Sequence, residues 1–84
     1  MKLLFQDRAW EHFQHWIEND RATLRKLNRL IEKCRRHPFD GTGKPEPLKG
    51  DLAGHWSRRI DRENRLVYRV EGDSLIIVQC RYHY

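Results

Sequence analysis

A glutamate between two prolines is the acidic side chain in this sequence that is most open to a chemical interpretation. Glu46 lies in the run Lys44-Pro45-Glu46-Pro47-Leu48-Lys49. Each proline fixes its own φ, and Pro47 also favours extended geometry at Glu46, so the segment can aim a carboxylate with little entropy left to lose on binding. Such a carboxylate suits one partner in a proton transfer. A solvated loop glutamate between two helix breakers explains the same run, and the residues alone favour that interpretation.

A second group that could move a proton is His83, which is followed only by Tyr84 in the sequence. An imidazole has an unperturbed pKa of about 6.5, so it can act as an acid or a base near neutral pH. The other histidines are interpreted as ordinary surface or core residues: His12, His15, His37 and His55. His83 differs from them because strand alternation, described below, assigns it to a cationic surface.

No metal ion or cofactor is predicted. The sequence contains neither HExxH nor CxxC, and it has no P-loop and no dinucleotide fingerprint. Phosphate chemistry on this chain would therefore proceed without a metal. Cys34 and Cys80 lack metal-ligand spacing and are interpreted as two buried, reduced thiols of a cytoplasmic protein.

The charge balance favours a polyanionic partner. The 84 residues include 17 Lys and Arg against 12 Asp and Glu, a formal net charge of +5, and twelve of the cations are Arg. The planar donors of Arg suit phosphate, and nucleic acid is the commonest polyanion. A chain of this length predicts one domain, residues 1–84, without a large enclosed cavity. The first residues lack a signal-peptide pattern, and no apolar run approaches the roughly 20 residues that span a membrane.

Two helices are predicted after a short first strand, Leu3-Leu4-Phe5. Asp7 is a candidate N-cap for the first helix and Asp20 for the second, which should end near Arg36 because Pro38 follows. The apolar stripe of the first helix is Trp10, Phe13, Trp16 and Ile17, and that of the second is Leu24, Leu27, Leu30, Ile31 and Cys34.

After an irregular segment from Pro38 to Pro47, the apolar period becomes two, which is typical of strands. The predicted strands are Leu52–Ile60, Arg65–Val70 and Leu75–Tyr82, separated by turns at Asp61–Asn64 and Glu71–Asp73. The element order is β-α-α-β-β-β. It predicts an α+β fold, in which a helical hairpin packs on one face of a mostly antiparallel sheet.

Alternation along these strands predicts a cationic sheet face. If Leu66, Tyr68 and Val70 face the helices, together with Ile76, Val78, Cys80 and Tyr82, the residues between them face away. The outward set then includes Arg59, Arg65, Arg69, Arg81 and His83. An exposed sheet face is normally polar, but several arginines with hardly any acidic neighbour repel one another unless an anion lies among them. The pattern favours anion binding over an ordinary polar face.

Four runs of the sequence resemble the YoeB toxins of the RelE/YoeB superfamily, found in bacterial type II toxin–antitoxin systems. The runs are RRHPFDGTGKPEPLK (35–49), GHWSRRI (54–60), RLVY (65–68) and CRYHY (80–84). The similarity extends over the whole chain. The proline-bracketed glutamate together with the final Arg-Tyr-His-Tyr makes it specific. It implies a RelE-like, microbial-ribonuclease-like fold.

The resemblance also implies an activity and roles for individual residues. Members of the family are ribosome-dependent endoribonucleases that cut mRNA in the ribosomal A site, are restrained by a YefM-type antitoxin, and are compatible with a homodimer. By this similarity Glu46 is the general base, His83 the general acid and Arg65 the group that stabilises the reacting phosphate. Lys49, Arg59 and Tyr84 occupy supporting positions. Arg81 joins the RNA-binding set from the alternation above.

Other interpretations stay open from the sequence. A non-catalytic RNA-binding or ribosome-binding module shares every feature except a need for Glu46 and His83 together. A relative that poisons another target, such as gyrase, would have no reason to keep that pair. The outer face of the second helix is either a solvated surface or a contact to ribosomal RNA, through Arg21, Arg25, Arg29 and Arg36.

Overall fold

Two helices separate the first strand from the other four in the computed structural model, which describes all residues from Met1 to Tyr84. The elements are β1 (Lys2–Phe5), α1 (Asp7–Asn19), α2 (Arg21–Arg36), β2 (Glu46–Pro47), β3 (Trp56–Arg59), β4 (Arg65–Glu71) and β5 (Ser74–Gln79). A short 3-10 turn occupies Gly50–Leu52. No helix is both long and apolar enough to cross a membrane.

The sheet is mixed and has five strands in the order β1-β5-β4-β3-β2. β1 is parallel to β5, and the remaining pairs are antiparallel. The α+β class and the helical hairpin on one sheet face are therefore confirmed. The sequence interpretation missed β2, because two residues beside a proline carry no alternation from which a strand can be recognised.

α2 confirms its prediction closely. The Asp20 side chain accepts hydrogen bonds from the Thr23 backbone N–H at 3.0 Å and from the Thr23 hydroxyl at 2.8 Å. These two bonds lower the pKa of the Asp20 carboxyl. The helix ends at Arg36, and Leu27, Leu30, Ile31 and Cys34 are buried. These four residues join Leu66 and Ile77 of the sheet in one hydrophobic core, so this stripe is the face of α2 that packs inward.

The prediction for α1 is partly wrong. Asp7 is the first helical residue rather than the N-cap, a position that Gln6 occupies without a side-chain hydrogen bond. Trp16 is buried, but Trp10 and Ile17 are 52 % and 38 % exposed, whereas His12 is only 6 % exposed. The reason is tertiary: the residues after β5 pack against the side of α1 that carries His12.

That packing is visible in the hydrogen bonds around Cys80. The His12 ring nitrogen Nδ1 accepts from the Cys80 N–H at 3.2 Å, the Trp16 indole donates to the Cys80 carbonyl at 2.8 Å, and the Cys80 thiol donates to the Ala9 carbonyl at 3.4 Å. Both cysteines are buried and unpaired, as predicted. Burial raises the pKa of the Cys80 thiol to about 12.

Two predicted strands are too long, and the alternation assigned to the last strand is right at Gln79 and Cys80 but wrong at Ile76, Val78 and Tyr82. β3 begins at Trp56, because the chain near Leu52 forms the 3-10 turn, and β5 ends at Gln79. In β5 the core residues are Leu75 and Ile77 instead of Ile76. A register shift opposes Val67 to Gln79 and Tyr68 to Ile77, so Val78 is an extra residue in β5 and the facing pattern changes there.

Candidate active site on the open face of the sheet

A row of residues crosses four strands on the open face, by which we mean the side of the sheet away from the helices. Glu46 of β2 is directly opposite Ser57 of β3, Ser57 is opposite Val67 of β4, and Val67 is opposite Gln79 of β5. Directly opposed residues project from the same face. The alternate residue Leu66 belongs to the core beneath the helices.

β2 fixes the direction of Glu46. Its two residues pair with β3, and the Leu48 N–H continues the pairing by donating to the His55 carbonyl at 2.9 Å. Pro47 is tolerated because β2 is the edge strand of the sheet. The extended geometry predicted for Glu46 is confirmed, and its side chain is exposed. Lys49 is the second residue after β2 and is also exposed.

The C-terminal tail, Cys80–Tyr84, folds back over this row. The Tyr82 carbonyl accepts from the Gln79 side-chain amide at 3.2 Å and from the Arg65 N–H at 2.9 Å. Further along, the Tyr84 and Ser57 hydroxyls are 3.3 Å apart. Ser57 and Gln79 are therefore only 2 % and 7 % exposed although they lie on the open face.

His83 reaches the site through the tail and not through a strand, which corrects the alternation argument. β5 has ended before it, and the left-handed backbone of Tyr82 (φ 69°) reverses the chain. The His83 ring is exposed and lies 4.9 Å, centroid to centroid, from the Tyr84 ring. His83 thus neighbours the residue that contacts Ser57, and Ser57 is the register partner of Glu46.

Two arginines lie side by side on the same face. Arg59 and Arg65 are direct cross-strand partners in β3 and β4, and neither forms an ion pair with a carboxylate. One guanidinium nitrogen of Arg65, Nη1, donates to the Asp61 and Asn64 carbonyls at 2.6 and 3.1 Å, leaving its other nitrogens without a protein acceptor. Like charges directly opposite one another are unfavourable, so this pair favours a bound anion.

The other two predicted arginines, Arg69 and Arg81, do not join this pair. Arg69 faces the same side by register, but its guanidinium lies 3.4 Å from the Glu71 carboxylate. Arg81 is outside any strand, so the alternation that grouped it with Arg59 does not apply. Its guanidinium covers the Tyr82 ring at 4.5 Å. Tyr82, predicted on the core side, is 49 % exposed.

Arg58 is a buried residue whose importance the sequence interpretation missed. Its fully buried guanidinium donates to the Tyr68 hydroxyl and to the carbonyls of His37, Asp40 and Thr42. It ties the loop that leads to β2 against the sheet. The sequence did carry a signal for this role. Arg58 lies two positions from both Trp56 and Ile60, so alternation along the strand assigns it to the core side. An arginine buried there needs a set of hydrogen-bond acceptors.

The site suits general acid–base chemistry on an anionic substrate. The open face and the tail carry a carboxylate, two hydroxyls, an imidazole and two guanidinium groups without ion-pair partners: Glu46, Ser57, Tyr84, His83, Arg59 and Arg65. No three side chains of His, Cys, Asp or Glu come together as metal ligands would.

Comparison with known proteins agrees with this architecture. Residues 5–84 match the family model described as the YoeB-like toxin of the bacterial type II toxin–antitoxin system. A Toxin YoeB of Streptomyces coelicolor is 56 % identical over 84 residues, covering the full length of both chains.

Solved structures give the same likeness. A YoeB/ParE toxin from Agrobacterium tumefaciens is 50 % identical, with a TM-score of 0.97 over the full length of both chains. YoeB in a heterotetrameric YoeB–YefM complex from Staphylococcus aureus is 39 % identical, with a TM-score of 0.91, covering 100 % of this chain and 98 % of that one. A YoeB dimer from the same organism is also 39 % identical, with the same coverage and a TM-score of 0.92.

Proposed function

Because the chain belongs to the YoeB-like family of toxins from bacterial type II toxin–antitoxin systems, we propose that it is a ribosome-dependent endoribonuclease. In this proposal it cuts mRNA in the ribosomal A site and so inhibits translation in the cytoplasm. The proposed cleavage does not require a metal ion bound to the protein. The products are a 2′,3′-cyclic or 3′-phosphate and a 5′-hydroxyl.

The observation that supports this proposal most is the contact of the C-terminal tail with β3, the strand that pairs with β2. Glu46 is opposite Ser57, and the Ser57 hydroxyl lies 3.3 Å from that of Tyr84, the neighbour of His83. A base and an acid supplied by separate segments can serve opposite sides of one phosphodiester, which in-line displacement requires.

Each proton in the reaction has a proposed carrier. Glu46 removes the proton of the 2′-hydroxyl, the resulting oxygen forms a bond to phosphorus, and the bond from phosphorus to the 5′-oxygen breaks. His83 donates a proton to that leaving oxygen. General acid and base catalysis are each worth about 10²- to 10⁴-fold in rate.

Arg65 is the residue proposed to stabilise the negative charge on the reacting phosphate. Its Nη1 is already held by two carbonyls, so the guanidinium is oriented before RNA binds. Preorganised donors of this kind contribute roughly 10²- to 10³-fold each. Lys49, Arg59, Arg81 and Tyr84 are proposed to bind RNA around this centre.

The proposed partners follow from the family and from the two solved assemblies. One is a YefM-like antitoxin, as in the Staphylococcus aureus complex, and another is a second copy of the chain, as in the dimer from that organism. The proposal includes no cofactor and no membrane.

The test uses purified ribosomes programmed with a defined mRNA. New 5′-hydroxyl ends should appear in the A-site codon, and a single 2′-deoxy nucleotide before the scissile bond should abolish cleavage there, because the nucleophile is absent. Cleavage at the 2′-deoxy position would contradict the mechanism. Arrest of translation without new RNA ends would instead identify a non-catalytic RNA- or ribosome-binding module.

A further inference from the structure

The turn Asp61–Asn64 is an ordered unit between β3 and β4. The Asp61 carboxylate accepts from the backbone N–H groups of Glu63 and Asn64 at 2.8 and 2.9 Å. The Asn64 side-chain amide donates to both oxygens of the same carboxylate, at 3.0 and 3.2 Å. The Asn64 side chain therefore has a fixed orientation.

Two contacts run from this turn to the candidate site. The turn carbonyls of Asp61 and Asn64 accept from Arg65 Nη1. The Asn64 side-chain oxygen accepts from the Tyr82 N–H at 2.7 Å. One turn thus holds both the guanidinium assigned to the phosphate and the backbone of the tail that carries His83.

Tyr82 is the residue at which the tail must be held. Its φ of 69° is in the left-handed region, which is unfavourable for a residue with a β-carbon. Such a conformation persists only where the surroundings determine it. The Tyr82 carbonyl has two donors, but Asn64 is the only hydrogen-bond partner of its N–H.

We propose that Asn64 is a positioning residue for RNA cleavage, acting through its hydrogen bond to Tyr82 to set the tail against the open face in register with Arg65. This inference rests on the proposed function. Asn64 touches neither RNA nor the reacting atoms in this role. Loss of its side chain should lower the rate of cleavage much more than it weakens RNA binding, because Lys49, Arg59 and Arg65 still hold the RNA when the tail loosens.

The experiment compares Asn64→Ala with Glu63→Gln, a matched substitution in the same turn at an exposed side chain without a hydrogen bond. Single-turnover cleavage on programmed ribosomes gives the rate, and affinity for ribosomes carrying the 2′-deoxy mRNA gives binding. Nuclear Overhauser effects of the His83 and Tyr84 amide groups report order in the tail. Asn64→Ala should cleave about tenfold or more slowly and have a more mobile tail, because small misplacements are costly in catalysis. Its affinity should fall by a much smaller factor than its rate.

A charge swap separates this role from a general loss of folding. In Asp61→Asn/Asn64→Asp the amide and carboxylate exchange places, so the turn and the bond to the Tyr82 N–H can both reform. Asn64→Asp alone places two carboxylates together. The double variant should recover cleavage that Asn64→Asp loses.

Several outcomes would overturn the inference. They are wild-type cleavage by Asn64→Ala, slower cleavage with an unchanged tail, or failure of the swap to recover activity while it folds normally. If the wild-type chain does not cleave RNA, the proposed function fails. The amide measurements then still decide the anchoring, and an equally ordered tail in Asn64→Ala rejects it.

Discussion

The Tyr84 hydroxyl lies 3.3 Å from the Ser57 hydroxyl, although 27 positions separate the two residues in the sequence. Ser57 is in turn the direct cross-strand partner of Glu46. This contact brings the end of the tail to the strand beside the proline-bracketed glutamate. The distance between the two segments in sequence is therefore no obstacle to a shared site.

The first prediction concerns this contact itself. Tyr84→Phe and Ser57→Ala each remove one of the paired hydroxyls, and a hydrogen bond of this kind is worth about 1 kcal/mol. If the bond only docks the tail, each variant should cleave RNA several-fold more slowly, and the double variant should be no worse than either single variant. Single-turnover rates measure this coupling. Full activity of Ser57→Ala beside strong loss in Tyr84→Phe would show that the Tyr84 hydroxyl acts on RNA directly.

Adjacent arginines on opposite faces give a second prediction. Arg58→Met should lower the free energy of unfolding by about 3–5 kcal/mol, because it removes the buried donor to the Tyr68 hydroxyl and to three loop carbonyls. Arg59→Met, at an exposed side chain, should stay within about 0.5 kcal/mol of wild type. Urea denaturation measures both changes. Among the folded proteins, Arg59→Met should weaken RNA binding more than Arg58→Met does. Equal stability of the two variants would contradict the structural role of Arg58.

His12 makes stability depend on pH. Burial, with the positive charges of Arg8 and Arg81, lowers the pKa of His12 below the ordinary value of 6.5. Above 6.5 both folded and unfolded chains carry neutral imidazole. Below it the unfolded chain takes up the proton first, so the free energy of unfolding falls.

His12→Asn tests this linkage, because an asparagine oxygen can replace Nδ1 as the acceptor for the Cys80 N–H and does not titrate. Urea denaturation at pH 5.5 and 7.5 should show a smaller pH dependence in the variant than in wild type. An identical pH dependence in the two proteins would contradict the assignment to His12.

Local signals predicted the helices and the centre of the sheet well. Asp20 caps α2 because its side chain bonds to the next turn, and Leu66 and Tyr68 face the helices because alternation holds along β4. The extended backbone at Glu46 follows from Pro47 alone. These features depend on residues close together in the sequence.

Three of the failures depend on distant contacts. A period of two cannot locate the extra residue Val78, because the choice of bulge depends on the neighbouring strand. The buried side of α1 changes because Cys80 packs on His12, and His83 reaches the open face through the reversal at Tyr82. The sequence could identify the acid and base candidates, but the route that brings them together is tertiary.

The outer face of α2 gives a fourth prediction. Arg21, Arg25, Arg29 and Arg36 are all exposed, as the stripe pattern predicts, and none has a carboxylate partner. If this face contacts ribosomal RNA, Arg25→Glu/Arg29→Glu should weaken ribosome binding at low salt and flatten its salt dependence. Sedimentation with ribosomes at two salt concentrations measures both. Unchanged binding at both concentrations would identify a solvated helix surface.

The central claim is that Glu46 and His83 act together on one phosphodiester. The most direct measurement is single-turnover cleavage by Glu46→Gln and His83→Gln on programmed ribosomes, with binding to 2′-deoxy mRNA complexes measured in parallel. Each variant should lose about 10²- to 10⁴-fold in rate and keep its affinity. Cleavage within a few-fold of wild type by either variant would contradict the account.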